Sequence, residues 1–407
     1  MKTAEAPASL CYSVAEFALV PSMTRSSIPH VALLIETSRS HGRGLLNGIR
    51  QFIAENEEWS VFMMPRSLDS QVPEWISRWK GDGILSRTIS QEMADAITAS
   101  GIPTVELRST KLKHEFPFLG IDNRAMGQLV AEHFLERGIR HFGVYEIGIE
   151  VYFEERRDNY VQTIQNAGYE VSVLSASEDS ETPREWEKHQ EQMANWLRGL
   201  PKPVGVMACT DQLGFWLLDA CERAGISVPD EVAVVGVEND EILCMMARPP
   251  LSSVAFNSTR IGYEAAALLS RLMKGEPIPK EPYLINPLGI VTRQSSDVMA
   301  VDNPELALAL RFIRENACKG IQVTDILKSV PLSRTALERQ MKAAIGRSPK
   351  SEIIRTQLER AKELLASTDL SLAQITQKIG FRHAQHFSTM FKGKIGETPG
   401  EFRAKMH

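Results

Sequence analysis

Cysteines, long hydrophobic runs and clusters of metal-ligating residues are scarce in this chain. The five cysteines are scattered over 407 residues without a C-x-x-C pair, at Cys11, Cys209, Cys221, Cys244 and Cys318. An odd number with no repeated spacing argues against a disulfide framework and predicts a reducing compartment with buried thiols. The longest apolar runs have the length of a strand, far below the ~20 residues that a membrane span needs. We therefore expect a cytoplasmic protein without a membrane segment.

A secretory signal is also lacking. The first 22 residues carry one Lys and an apolar patch broken by Glu16, with no clear cleavage site. Met23 precedes the first well-patterned segment. Two interpretations of residues 1–27 therefore stay open, a disordered tail and a misassigned start.

Charge is distributed unevenly along the chain. The net charge is −5, yet residues 304–407 hold 18 Lys and Arg against 10 Asp and Glu, while the remainder holds 28 against 41. An acidic body with a basic tail predicts that only the tail meets a polyanion, such as double-stranded DNA.

Between residues 28 and 293, short apolar runs alternate with amphipathic stretches of helical length. Such strands, separated by helices, indicate buried parallel strands in βαβ units. The number of units predicts two doubly wound halves, which makes 28–293 one α/β domain of two lobes. The predicted strands are 31–35, 59–64, 81–86, 103–107, 141–147, 170–174, 204–209 and 232–238.

The last hundred residues contain a repeat. A polar stretch, 294–304, is predicted to be a linker, and 305–407 shows helical periodicity throughout. Within it, AIGRSPKSE (344–352) returns as KIGETPGEF (394–402). Apolar residues upstream recur at matching positions four apart, so each copy is predicted to be helix, tight turn, helix and closing glycine. This arrangement is a helix-turn-helix.

The outward face of the second helix in each copy carries side chains suited to DNA. Arg can bond guanine edges, Gln can bond adenine, and Lys, Ser and Thr can hold phosphates. His383 and His386 could also share a metal, but no third ligand is nearby, so we expect none. The predicted DNA-binding residues are Ser333, Arg334, Thr335, Glu338, Arg339 and Lys342 in the first copy and Arg382, His383, Gln385, His386, Ser388, Thr389 and Lys392 in the second.

Residues 332–353 and 355–403 resemble the C-terminal DNA-binding domain of the AraC/XylS family. The resemblance runs from LSRTALERQMKAAIGRSPKSEI to HFSTMFKGKIGETPGEFR. It implies two helix-turn-helix units joined by a long helix near 350–367. It also implies recognition helices in successive major grooves, roughly 34 Å apart. Activation of transcription is typical of this family, which makes RNA polymerase a candidate partner.

Two further segments, 120–145 and 204–266, resemble the LacI-type sensor fold, which is periplasmic-binding-protein-like. The resemblance implies two lobes with a hydroxyl-rich ligand, usually a sugar, between them. Carboxylates and Arg suit sugar hydroxyls, and aromatic rings can cover a sugar face. Asp122 and Asp211 also open predicted helices, so a capping role stays open for both. The expected ligand-binding residues are Ser38, Arg43, Asp122, Phe153, Arg156, Thr210, Asp211 and Glu238.

A sensor followed by an AraC-type reader resembles the bacterial regulators of xylose operons, which makes xylose the first expected effector. The expected fold is therefore a two-lobed α/β sensor followed by an all-α domain with two helix-turn-helix units, acting as a homodimer without a cofactor. One alternative keeps DNA binding with a non-sugar or protein ligand. Another is a sugar-modifying enzyme, for which no catalytic constellation is evident. Gly42, Gly44 and Gly48 run G-x-G-x-x-x-G, which disfavours a dinucleotide site.

Overall fold

The computed structural model describes residues 28–66, 73–148, 151–176, 183–277, 281–298, 301, 303–368 and 370–406. Residues 1–27, the predicted N-terminal tail, lie outside these ranges. Strands β1 to β12 are His30–Leu34, Ser60–Met63, Gly83–Ser86, Thr104–Glu106, Leu119–Ile121, His141–Ile147, Val171–Ala176, Val204–Ala208, Val232–Val237, Ser252–Ala255, Tyr283–Ile285 and Gly289–Val291. Helices α1 to α15 are Ser40–Asn56, Gln91–Ser100, Asn123–Glu136, Val151–Asn166, Pro183–Gly199, Asp211–Ala224, Glu241–Met246, Ser258–Met273, Pro304–Asn316, Val323–Ser329, Arg334–Ile345, Pro349–Ser367, Leu372–Lys378, Ala384–Ile395 and Pro399–Met406.

The α/β part consists of two sheets, one in each lobe. The first has the order β2-β1-β3-β4 and the second β12-β10-β9-β8-β6-β7, and β11 and β5 form a separate small pair. All pairings are parallel except that of β10 with β12. The eight predicted strands are confirmed as β1 to β4 and β6 to β9; most are buried apolar runs, whereas β2 and β7 are exposed or half-buried. Strands β5 and β10 to β12 were not predicted.

The chain crosses between the lobes more than once. Helix α8 follows β10 of the second lobe, yet it packs along α1 of the first. Two glycines permit this close approach. A Cβ at Gly48 would lie 1.8 Å from the Thr259 carbonyl oxygen, and one at Gly262 would lie 2.0 Å from that of Leu45. These helices therefore meet backbone to backbone.

The segment predicted to be a linker begins inside the second lobe. Ser295 and Ser296 are fully buried, and Val298 joins the sensor core. The Ser295 hydroxyl donates to the Val234 carbonyl at 2.6 Å, and the Ser296 hydroxyl lies 2.9 Å from His133 Nε2. The connection between sensor and tail is therefore shorter than the polar composition of residues 294–304 suggests.

The tail has two small cores, one in each helix-turn-helix unit. Leu337 and Met341 are buried in the first, and Phe387 and Phe391 occupy the matching places in the second. Helix α12 belongs to both cores, because Ile353 packs in the first and Leu358 in the second. The predicted helix near 350–367 is thus confirmed as α12. Among the described residues, no helix is both long enough and apolar enough to span a membrane.

Replacing Gly262 with alanine tests the α1–α8 contact. We expect Gly262→Ala to destabilise the sensor by about 1–3 kcal/mol, because its methyl group would push against the α1 backbone. Thermal denaturation should show a midpoint several degrees lower. Gly199→Ala is the matched control, since a Cβ there meets no atom within 4 Å. Equal midpoints for both variants would contradict this view of the interface.

Candidate functional site

A crevice lies between the two lobes, at the carboxyl ends of the parallel strands. Glu36, Arg39 and His41 come from the loop and helix after β1, Arg87 follows β3, and Arg108 follows β4. This edge of a doubly wound sheet is where such folds bind ligands. The complete lining is Glu36, Arg39, His41, Arg87, Leu107, Arg108, Ser109, Phe118, Ile121, Asn123, Tyr152, Arg156, Glu238 and Phe256.

Buried charges form the first-lobe wall. Arg87 Nη1 lies 3.0 Å from Glu36 Oε1, and both side chains are about nine-tenths buried or more. Glu36 Oε2 and Arg87 Nε have no hydrogen-bond partner among the described residues. Buried polar atoms usually have a partner, so unpaired ones facing a crevice indicate groups that a ligand would satisfy.

Arg156 organises the second-lobe wall. Its Nε donates to Asn123 Oδ1 at 2.9 Å, and its Nη1 donates to the Cys209 carbonyl at 2.6 Å. Its guanidinium also lies 4.9 Å from the centre of the Tyr152 ring. Glu238 Oε1 is 3.9 Å from Arg156 Nη1, which leaves that carboxylate able to accept bonds from a ligand.

Glu238 and Asn239 have strained backbones. Their φ angles are 116° and 50°, in the left-handed region that favours glycine. The loop is held by its neighbours: Glu238 N donates to the Val254 carbonyl at 3.0 Å, and Asn239 N donates to Ser253 Oγ at 2.9 Å. Strain of this kind costs about 1–3 kcal/mol and tends to occur at functional sites.

Asp211 anchors the Glu238–Asn239 loop through hydrogen bonds. Its carboxylate accepts the Ser253 hydroxyl at 2.5 Å and the Asp240 backbone N–H at 2.6 Å. The side chain is fully buried, and burial raises the pKa of Asp211 to about 8. Asp211 therefore positions the loop that carries Glu238 and does not line the crevice.

Of the eight sequence-derived ligand residues, Arg156 and Glu238 line the crevice. Ser38 and Arg43 are exposed and lie outside it; Arg43 Nη1 donates to the Thr37 and Ser38 carbonyls, which fixes the loop. The other four predicted residues do not line the crevice either. They are Asp122, Phe153, Thr210 and Asp211.

Asp122 and Thr210 are helix N-caps. Asp122 accepts the Ala125 N–H at 2.9 Å, and Thr210 accepts the Leu213 N–H at 3.3 Å. Phe153 is packed in the sensor core and is 4% exposed.

Sequence reasoning missed the arginines of the first lobe. Arg87 directly follows β3, and Arg108 comes two residues after β4. The rule that ligand groups follow the carboxyl ends of parallel strands could have identified both. The same rule points to Glu36, two residues after β1, although Ser38 and Arg43 were the predicted ligand residues of that segment.

The crevice is narrow in this conformation, because its side chains leave little free space between them. Binding of a ligand larger than water would require side chains or lobes to move.

The predicted DNA-binding residues lie on the outer faces of α11 and α14 or at their N-termini. All are exposed except Ser388, which is half-buried. Ser333 caps α11, accepting the Ala336 N–H at 3.2 Å, and Arg334 pairs with Glu338 one turn later. Each helix ends at a glycine of positive φ, Gly346 at 70° and Gly396 at 95°, as the repeat predicts.

Ion pairs join the second lobe to the tail. Asp230, just before β9, pairs with Arg311 and Arg314 of α9. Asp297, beside the buried serines, lies 2.8 Å from Arg355 Nη1 of α12. A cavity of about 860 Å³ lies beside these contacts and is lined by residues of both parts. Among the described residues, ion pairs therefore join sensor and tail next to an open space.

A continuous set of contacts links the crevice to this junction. Asn239 Oδ1, next to Glu238, accepts Arg293 Nη2 at 2.8 Å. Arg293 also donates from its backbone to Ser252 Oγ at 2.8 Å. Four residues later Asp297 meets Arg355.

Comparison with known proteins covers nearly the whole chain. A family model described as a periplasmic binding protein-like domain matches residues 131–296, and one described as a helix-turn-helix domain matches residues 326–405. The Xylose operon regulatory protein of Escherichia coli (strain K12) is 30% identical over 381 residues, which cover 92% of this chain and 96% of that protein.

Solved structures agree with this result. That of the xylose-binding transcription activator xylR has a TM-score of 0.74 at 29% identity and covers 93% of this chain and 98% of that one. A periplasmic binding protein/LacI transcriptional regulator from Alkaliphilus metalliredigens, complexed with D-xylulofuranose, covers 66% of this chain and 99% of that one. Its TM-score of 0.54 at 17% identity shows the sensor fold alone.

The raised pKa of Asp211 predicts a pH-dependent stability. Because the folded pKa of about 8 exceeds the ordinary value of 3.8, the native state binds more protons between these values. The contribution to stability is fully present below about pH 4 and is lost as the pH rises through about 8. Asp211→Asn should reduce the dependence of the thermal-denaturation midpoint on pH between pH 5 and 8. The reduction should be partial, because burial also raises the pKa of Glu106 to about 7. Ser253→Ala keeps the carboxyl group and should retain the slope; an unchanged slope in Asp211→Asn would refute the assignment.

Proposed function

Since the chain belongs to the family of xylose operon regulatory proteins, we propose that it activates sugar-catabolism genes when a small sugar binds between its sensor lobes. The family and the helix-turn-helix domain make it a sugar-responsive transcriptional regulator. The observation that carries the proposal is that one chain contains both a polar crevice between two lobes and two exposed helices suited to DNA recognition. Xylose is the first sugar to test, by likeness to the relatives.

The chemistry of the crevice supports it as the effector site. Glu36 and Glu238 offer carboxylate oxygens that can accept sugar hydroxyls, and the guanidinium groups around them donate. Tyr152, Phe118 and Phe256 supply ring surfaces for the apolar face of a sugar. The ligand roles of Arg156 and Glu238 are part of this proposal.

DNA reading is assigned to α11 and α14. Arg334 and Arg382 stand at or just before the helix N-termini, the part of a recognition helix that reaches base edges. Lys342 and Lys392 lie in the last turns, where they suit phosphates. The other exposed residues named above complete the proposed contact surface.

The route of the signal follows the contacts from Glu238 to Arg355. Opening and closing of the lobes changes the position of the strained Glu238–Asn239 loop. Asn239 holds Arg293, and the segment after Arg293 ends at Asp297, which pairs with Arg355. In this proposal the effector shifts the orientation of the tail, because its binding favours one of two arrangements of these contacts.

Several properties belong to the same proposal. We expect a homodimer that binds a double-stranded operator in the cytoplasm and acts through RNA polymerase. The relatives are transcription regulators, which supports a protein without enzymatic activity. The remaining alternative is that the sensor domain binds a protein partner instead of a sugar. The absence of any response to sugars would favour this alternative.

Arginine substitutions test the DNA-reading surface. Arg382→Ala should weaken binding to the specific operator by about 5- to 150-fold at fixed salt and relax sequence preference, because a base-reading Arg is worth about 1–3 kcal/mol. Fluorescence anisotropy with specific and scrambled duplexes measures both effects. Lys362→Ala on α12 removes a similar charge away from the recognition helices and should have less effect. If Arg382→Ala leaves affinity and preference unchanged, the placement of α14 is wrong.

A second experiment tests sensing and coupling together. A sugar effector at about 100 times its Kd should stabilise the wild-type sensor by about 2.7 kcal/mol and alter operator affinity. Arg355→Ala should keep the thermal shift but reduce the effect of effector on DNA affinity, because the Asp297 contact is lost. Panels of pentoses and hexoses, xylose first, supply the ligands. Full retention of the effector's influence on operator binding in Arg355→Ala would exclude this route.

A further inference from the structure

We propose that a cationic groove between the two helix-turn-helix units binds the sugar–phosphate backbone of the operator, with Lys350 as a phosphate contact outside the recognition helices. This inference rests on the proposed function, because it takes α11 and α14 as the DNA-reading helices. The groove has a volume of about 600 Å³. It is bordered by the N-terminal ends of α11 and α14, by the start of α10 and by the first half of α12. Residues of both units therefore form its walls.

The lining of this groove carries charge of one sign. Arg334, Lys350 and Arg382 line it, and none of its described lining residues is an Asp or a Glu. His383 and His386 add imidazole groups that can donate hydrogen bonds. A concave surface with cations of this kind and no carboxylate attracts anionic groups.

Carboxylates on the helices that border the groove have other partners or are exposed to solvent. Glu338 lies 3.1 Å from Arg334, but both side chains are at least half exposed, and an exposed pair contributes little stability. Asp325 of α10 accepts the Gln322 N–H at 3.0 Å and pairs with Lys328 at 3.0 Å. A phosphate can therefore take Arg334 from Glu338 at little cost.

Lys350 is exposed and makes no ion pair with a described residue. Glu352, two residues later on α12, is buried and binds Arg347 and Arg355, each at 2.7 Å. Lys362, about three turns further along α12, pairs instead with a glutamate of its own helix at 2.5 Å. Of these two lysines, Lys350 can bind a phosphate without giving up another partner.

The two units are in close contact beside the groove, which fixes its shape. A Cβ at Gly380 would lie 2.5 Å from Gly320 N, so the two turns meet backbone to backbone. The buried Gln357 Nε2 donates to the Ala317 carbonyl at 3.0 Å. These contacts hold the cations of the two units at a set separation before DNA binds, which lowers the cost of ordering them in the complex.

The position of the groove matches the backbone between two reading sites. Recognition helices that enter successive major grooves leave a stretch of phosphates and deoxyriboses between them. The first residue of α11, Arg334, and the N-cap residue of α14, His383, both border the groove, so it faces that stretch. Partly buried Ile354, Phe381 and Met390 offer apolar surface to the deoxyribose rings, while the cations meet the phosphates.

The salt dependence of DNA binding by the full-length protein tests the inference. A duplex selected by the wild-type protein from a random-sequence library serves as the operator, and a scrambled duplex measures sequence preference. One phosphate contact contributes about 0.9 to the slope of log K against log salt, or about eightfold in affinity at 0.1 M salt. Lys350→Ala should lose about this much slope and affinity while its sequence preference stays unchanged. Lys350→Arg should retain both, and Lys362→Ala is the matched control on the same helix.

Three results would overturn the inference. An unchanged slope and affinity in Lys350→Ala, with specific binding by the wild type, would mean that the groove does not face DNA and would leave the proposed function standing. A changed sequence preference would make Lys350 a base contact instead. Failure of the wild-type protein to enrich any duplex would overturn both this inference and the proposed function.

Neutral methylphosphonate linkages locate the contact on the operator. Each replaces one phosphate of the selected duplex, and binding of the wild type and of Lys350→Ala is compared. The linkage that weakens the wild type but not the variant marks the phosphate that Lys350 binds. We expect it between the two major-groove segments whose bases are read by α11 and α14. A marked phosphate outside that interval would refute the placement of the backbone in the groove.

Discussion

The bonds made by the buried Arg156 guanidinium hold the second-lobe wall of the crevice in place. They join the first turn of α3 at Asn123 to the carbonyl of Cys209 at the end of β8, with Glu238 after β9 facing the same group. A buried charge destabilises a protein unless its donors are satisfied, so these three element ends have one favoured arrangement. The wall is therefore organised before an effector arrives, which lowers the cost of ordering it on binding.

The loop after β9 connects this wall with the rest of the molecule. Glu238 faces the crevice, while Asn239, the next residue, bonds Arg293 on the way to the tail. Both residues have positive φ; the Val254 carbonyl holds Glu238, Ser253 holds Asn239, and Asp211 accepts the Asp240 N–H. The loop lies between the crevice and the tail, and in the proposed route it is the element whose partners would change.

Local sequence patterns predicted most of the fold but only part of the site. The apolar run of β9 identified that strand, whereas Ser252 and Ser253 in β10 are buried polar residues whose hydroxyls bond Arg293 and Asp211. No apolar alternation could reveal them. The repeat predicted the two tail cores because each core is built from residues that are close together in the sequence. Arg87 and Arg108 could have been identified from their places after β3 and β4, but their meeting with second-lobe residues in one crevice depends on how the lobes pack, which no spacing along the chain records.

The shared helix α12 determines what the tail can do with a signal. Its 19 residues span about 28 Å, and its apolar residues belong to both helix-turn-helix cores. Arg355, which meets the sensor at Asp297, lies between Ile353 of one core and Leu358 of the other. A displacement applied there moves both cores together and leaves the spacing of α11 and α14 unchanged. In the proposed route the sensor would control where the whole tail points relative to the lobes and, in the proposed dimer, how two tails are presented to one operator.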